Sequence, residues 1–126
     1  MQLHGGGHSE RAFIHIKDVV RATLQLATEG EPGSTWHLSA NKSCSIRELV
    51  EKICELTGAN FNKIVETSEE RLGKDQSYLL DSSAMRQVHD WSDQFTLEQG
   101  LQETLDWVDD NLATLKTLPW SYQHKI

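Results

Sequence analysis

Two four-residue signals constrain most of what this 126-residue chain can become. Ser45-Ile46-Arg47-Glu48 and Thr96-Leu97-Glu98-Gln99 both have the form of a capping box. In such a box the hydroxyl accepts from a first-turn amide, and the Glu or Gln three residues on accepts from the cap's own amide. After the first box, Ile46, Leu49, Val50, Ile53 and Leu56 recur at helical spacing until Gly58, a residue suited to a left-handed stop. After the second, Leu97, Leu101, Leu105, Val108, Leu112 and Leu115 make a longer stripe that must end by Pro119.

The rest of the chain alternates short strand and helix signals. Residues 11–16 read as a strand, with Phe13, Ile14 and Ile16 apolar. Asp18 then stands where an N-cap belongs. A helix follows with Val20, Leu24 and Ala27 on one side, Val19 and Thr23 beside them, and Gly30 closing it. Thr35-Trp36-His37-Leu38-Ser39 is rich in strand formers, residues 61–65 read as a short strand or connector, and Tyr78-Leu79-Leu80 as a short buried strand. Asp81 or Ser82 caps a short helix through Met85 and Val88, and Trp91 anchors its end in the core. Short strands packed with three to four helices put the chain in the α/β class, with no internal repeat.

At the N-terminus a short strand leads into Gly5-Gly6-Gly7, read as a flexible turn. It is no dinucleotide fingerprint, because no helix opens directly after it. His4 and His8 flank it without a third metal ligand at a recognisable spacing, and no Gly-x-Ser-x-Gly elbow accompanies it. A hydrophobic content of 37% with 25% charged residues suits a soluble globular protein. The net charge of −7 argues against nonspecific binding to nucleic acid or anionic membranes. No run approaches the ~18 apolar residues of a membrane span, and the first residues lack the apolar core of a signal peptide. Cys44 and Cys54 are expected to be reduced structural thiols in a cytoplasmic protein.

One stretch invites chemistry: Glu70-Arg71-Leu72-Gly73-Lys74-Asp75, just before Gln76-Ser77-Tyr78-Leu79-Leu80-Asp81. Gly73 permits a tight turn, Arg71 offers a planar fork of donors for phosphate or carboxylate, and Lys74 a compact charge. On physics alone the anion signal is weak, because a charged turn is usually just a solvated turn. No Ser/His/Asp or Cys/His set has the spacing of a nucleophilic centre, so catalytic residues are expected to be none.

This stretch resembles the Arg-Pro-Gly-His-Asp segment of the nucleotide-sugar 4,6-dehydratases and epimerases, NAD-dependent members of the extended short-chain dehydrogenase/reductase family. About 60 residues earlier, Ser9-Glu10-Arg11-Ala12-Phe13-Ile14-His15-Ile16-Lys17-Asp18-Val19-Val20 resembles the same family's Arg-x-Phe-hydrophobic-x-Val-x-Asp-Val segment. The likeness runs most closely to the dTDP-glucose 4,6-dehydratases and corresponds to their C-terminal third. It implies the C-terminal, substrate-binding part of a Rossmann-like NAD(P)-binding fold whose Rossmann core is missing here. It further implies that Arg11 and Arg71 grip a nucleotide diphosphate and that Asp75 orients Arg71 or the sugar-nucleotide. Leu72 stands where the family has proline and Lys74 where it has histidine, and Lys74 keeps a donor for the anion.

The family's Tyr-x-x-x-Lys and glycine-rich NAD motif are both absent, so the chain alone is expected to be inactive and to bind no cofactor. By the same likeness, residues 1–44 would pack on the missing nucleotide-binding domain, residues 45–118 would form a small substrate-binding domain, and residues 119–126 a tail with Trp120, Tyr122 and His124. The expected partners are a nucleotide-sugar, the missing N-terminal domain and a second copy held by bare apolar surface around Val19, Val20, Leu24, Trp36 and Leu38. A stand-alone nucleotide-sugar-binding or structural module without catalysis is the alternative.

Overall fold

The computed structural model describes residues 1–70 and 72–119. Arg71 and the tail residues Trp120, Tyr122 and His124 lie outside the described residues. In chain order the elements are β1 (Gln2–His4), a 3-10 turn (Gly5–Gly7), β2 (Glu10–Arg11), α1 (Ile16–Glu29), β3 (Cys44–Ser45), α2 (Ile46–Thr57), α3 (Phe61–Ile64), β4 (Glu66–Ser68), β5 (Ser77–Tyr78), α4 (Ser83–His89) and α5 (Leu97–Leu115).

Both capping boxes close. Ser45 Oγ accepts from the Glu48 amide at 3.1 Å, while Glu48 Oε2 accepts from the Ser45 amide at 2.7 Å. Thr96 Oγ1 accepts from the Gln99 amide at 3.2 Å, and Gln99 Oε1 accepts from the Thr96 amide at 2.9 Å. Gly58 ends α2 at φ 66°, a conformation glycine adopts without strain. α5 stops at Leu115, short of Pro119.

Two small sheets tie the first residues to later ones. β1 lies parallel to β4, with His4 opposite Ser68. β2 is the middle strand of three, antiparallel to β3 with Arg11 opposite Cys44, and parallel to β5 with Arg11 opposite Tyr78. Ala22, Met85 and Trp91 are fully or almost fully buried, and Ile14, Leu26, Trp36 and Leu38 pack around them. Leu3, Val50 and Cys54 are buried as well. No helix among the described residues is long and apolar enough to cross a membrane.

Four local expectations change. The strand at residues 11–16 shrinks to Glu10–Arg11, because helix α1 already begins at Ile16. Residues 35–39 form no strand; Trp36 and Leu38 pack on the core, but no strand among the described residues offers the ladder their β-propensity needs. Phe61–Ile64 is a single helical turn, a fifth helix, and the strand follows it at Glu66–Ser68. The strand near Tyr78 comprises only Ser77–Tyr78, and Tyr78, Leu79 and Leu80 are exposed rather than buried.

Asp18 differs most. The N-cap of α1 is His15, whose Nδ1 accepts from the Lys17 amide at 3.2 Å. Starting the helix there places Asp18 in its first turn, fully buried, where it binds across the fold instead of along its own backbone. Its carboxylate accepts from the amides of Gln94 at 3.0 Å and Phe95 at 3.1 Å, and from Arg21 Nη2 at 2.7 Å. Burial alone would raise its pKa. The hydrogen bonds from Gln94 and Phe95 and the adjacent Arg21 guanidinium reverse that and hold the carboxyl below its ordinary value.

Because the folded pKa lies below the unfolded one, the stabilisation is present above the unfolded pKa of 3.8 and is lost as pH falls through the folded value. Asp18→Ala leaves two amides and a guanidinium without their acceptor and should cost about 3 kcal/mol in urea unfolding at neutral pH. The deficit should shrink as wild type and variant are compared below about pH 4. A neutral-pH cost under about 1 kcal/mol would show that the tie is not structural.

Candidate functional site

Strand β2 positions the first candidate residue. Its parallel pairing with β5 brings the loop entering β5 alongside Glu10 and Arg11, with the Glu10 amide donating to the Gln76 carbonyl at 2.8 Å. The half-buried Arg11 donates from Nη2 to the Asp75 carbonyl at 3.1 Å and from Nη1 to the Glu10 carbonyl at 2.6 Å. Arg11 and Asp75, 64 residues apart in sequence, therefore meet. The contact runs through the main chain of Asp75, whose residue is otherwise exposed. Lys74, half-buried, holds its Nζ 3.5 Å from Glu70 Oε1. Gly73 makes the turn between them at φ 76°, and Leu72 is fully exposed at its tip. Arg71 lies outside the described residues.

The Gly5–Gly7 turn forms a second wall. Its three glycines have φ of 55°, 69° and 77°, and Gly6 and Gly7 are buried. A Cβ on Gly5 would overlap the Glu70 carboxylate, and one on Gly7 would press on Leu3 at 2.9 Å. Arg47 Nε donates to the Gly6 carbonyl at 3.0 Å. The expectation of a flexible turn therefore gives way to a packed one. The β1–β4 pairing that creates this wall was hidden in Glu66-Thr67-Ser68, which reads as acidic and polar rather than as a strand. His4 Nδ1 shares a hydrogen bond with Ser68 Oγ at 2.9 Å across that pairing.

Nothing else in the described residues competes as a reactive centre. Burial, then the Glu48 charge, pushes the Cys44 thiol up, away from the thiolate that a nucleophile needs. No group of three or more His, Cys, Asp or Glu is placed to hold a metal among the described residues. A cleft of about 550 Å³ between residues 40–44 and the start of α5 includes neither Arg11 nor Lys74. Its Lys52 and Glu98 are paired with each other at 2.7 Å.

No family model matches the chain. The dTDP-glucose 4,6-dehydratase of Streptomyces niveus is 31% identical over 111 residues, which are 88% of this chain and 33% of that protein. The trifunctional UDP-glucose 4,6-dehydratase/UDP-4-keto-6-deoxy-D-glucose 3,5-epimerase/UDP-4-keto-L-rhamnose-reductase of Arabidopsis thaliana is 27% identical over 111 residues, 88% of this chain and 16% of its own. The crystal structure of dTDP-glucose 4,6-dehydratase from Bacillus anthracis in complex with NAD superposes with a TM-score of 0.80 at 31% identity, over 87% of this chain and 34% of that one. The chain belongs to the extended short-chain dehydrogenases/reductases. It corresponds to the C-terminal part of their nucleotide-sugar dehydratases and epimerases, and spans a third or less of the curated relatives named here.

The Gly5–Gly7 turn does not fit the pyrophosphate of an NAD such as the one in the Bacillus anthracis structure. Dinucleotide pyrophosphate sits on a glycine turn that opens directly into a helix. Here the glycine turn leads into β2, and Gly6 and Gly7 are buried in it. Because Arg11 is held by a main-chain oxygen, Asp75→Ala should leave its position unchanged and shift unfolding free energy by no more than about 0.5 kcal/mol in urea titrations. A loss well beyond 1 kcal/mol would mean the Asp75 carboxylate carries the contact instead.

Proposed function

We propose that this chain is the nucleotide-sugar-binding part of an NAD-dependent 4,6-dehydratase or epimerase, with Arg11 and Arg71 holding the substrate diphosphate. Lys74 supplies a further cation, and Asp75 orients the loop that carries Arg71. The observation that supports this most is the β2–β5 pairing, which puts the Arg11 guanidinium 3.1 Å from the Asp75 carbonyl, on the loop that bears Lys74 and Arg71. Two cations converging on one loop suit a diphosphate, since guanidinium groups take phosphate oxygens in pairs. Relatives named for dTDP-glucose and for UDP-glucose both align over 88% of the chain, so the reading covers either base.

In this reading NAD and the reacting groups belong to a nucleotide-binding domain, and the 126 residues alone do not catalyse the lyase or epimerase reaction. They contain no Tyr-x-x-x-Lys and no glycine-rich strand-turn-helix. A cytoplasmic location with reduced Cys44 and Cys54 fits the same assignment, as does a division into residues 1–44 facing the nucleotide-binding domain and residues 45–118 facing substrate.

An exposed apolar face supports a docking place for this partner. Ile16, Val20 and Leu24, spaced four apart on α1, are 66%, 49% and 64% exposed. Residues 35–39, strand formers without a ladder among the described residues, lie close by through Trp36 and Leu38, which share the core with Ala22 of α1. The chain exposes 9681 Å², against roughly 6,800 Å² for a compact monomer of its mass. The difference exceeds the ~800 Å² per partner that a specific interface needs. Without the domain, two copies should cover this face mutually. Sedimentation should show a dimer or larger species, reverting to monomer in Val20→Glu/Leu24→Glu; a wild-type monomer at high micromolar concentration would refute it.

Calorimetric titration with UDP and dTDP tests the site. Arg11→Ala should weaken either ligand tenfold or more, the loss of one charge-assisted hydrogen bond. Equal affinity in wild type and Arg11→Ala would overturn the diphosphate assignment.

A further inference from the structure

We propose that Glu70 is a built-in competitor for the anion site: its carboxylate occupies Lys74 and the Gly5 turn, and an incoming diphosphate must displace it. This rests on the diphosphate reading of the loop. Three observations converge on Glu70. Its Oε1 lies 3.5 Å from Lys74 Nζ. Its carboxylate rests so closely on Gly5 that any Cβ there would overlap Oε2, so glycine is the residue that leaves the seat open. And the turn it rests on, fixed by Arg47 at the Gly6 carbonyl, runs through φ of 55°, 69° and 77° before returning to the right-handed region at His8.

Successive amides in such a turn form a concavity suited to a negatively charged oxygen. A glutamate oxygen on a lysine and against a glycine turn stands in for a phosphate oxygen in charge, size and hydrogen-bonding capacity. The β1–β4 register sets the arrangement: with His4 opposite Ser68, Gly5 and residues 69–70 leave the two strands side by side. The Glu70 side chain is already half-exposed where it meets Lys74. An exposed carboxylate–lysine pair contributes little to stability, so its displacement is an affordable step for a ligand carrying two phosphates.

The test titrates inorganic pyrophosphate and UDP into wild type, Glu70→Gln, Glu69→Gln and Arg11→Ala. Glu70→Gln keeps the shape and removes the charge, and should bind both ligands about two- to fivefold more tightly, the range expected from one exposed ion pair. Glu69→Gln makes the same change in net charge one residue away, where only the main-chain oxygen is engaged, by His4. It should leave affinity unchanged. Equal or weaker binding by Glu70→Gln, or an equal gain in Glu69→Gln, would overturn the proposal. Arg11→Ala reports separately on the site: tightening in Glu70→Gln with no effect of Arg11→Ala would sink the arginine assignment and leave the Glu70 seat standing. In amide NMR spectra, pyrophosphate should shift Gly5 of the wild type toward its position in Glu70→Gln; a Gly5 signal indifferent to both changes would also overturn the seat.

Discussion

A single buried carboxylate orients most of this molecule. Asp18 and Met85 are the largest of its fully buried side chains, and only Asp18 carries charge. A buried carboxylate costs several kcal/mol unless it is fully partnered. Asp18 meets that condition by drawing two amides from residues 94 and 95 and the guanidinium of Arg21 onto itself. Those amides immediately precede the cap of α5, so the same group ties the first turn of α1 to the start of α5. His15 stacking on Phe95 at 4.3 Å and Lys17 bonding Glu103 at 2.6 Å reinforce the junction from its exposed side. β2 lies only a few residues upstream of α1, and the direction of α1 therefore limits where Arg11 can stand.

Two helix starts were legible because their signals are local. Ser45 with Glu48 and Thr96 with Gln99 satisfy each other within one turn, and no distant residue can change that. Trp91 was legible as a core anchor for a similar reason: so large an apolar surface rarely stays in water. Asp18 was misread because its type and position suit an N-cap, while its true partners are 76 and 77 residues away. The strand formers at residues 35–39 failed for the opposite reason, since a strand exists only with a neighbour to complete its ladder. β4 escaped notice because Glu66-Thr67-Ser68 has no apolar face, and its pairing comes from β1 rather than from burial.

The candidate site shows the same division. Arginine at position 11 and the turn around Gly73 could be read from residue type and likeness to a family. The contact joining them could not, because Arg11 engages a carbonyl oxygen that every residue possesses. Gly5 looked like slack in the chain, yet its value lies in what it omits: a side chain there would occupy the space taken by Glu70. A glycine required by a distant side chain has no signature in its own neighbourhood.

Against a net charge of −7, distance decides how far the acidic residues oppose an anion at the proposed site. At physiological ionic strength the field of an exposed charge fades over about 8 Å, so only acidic groups close to Arg11 or Lys74 count there. A carboxylate 3.5 Å from the ammonium lies well inside that length, although exposure to water keeps the pair weak. Glu70 is therefore among the acidic residues that set the local potential at Lys74, beside its sequence neighbour Asp75. Under the proposed exchange, the chain stays acidic overall while one small anion trades places with a single glutamate.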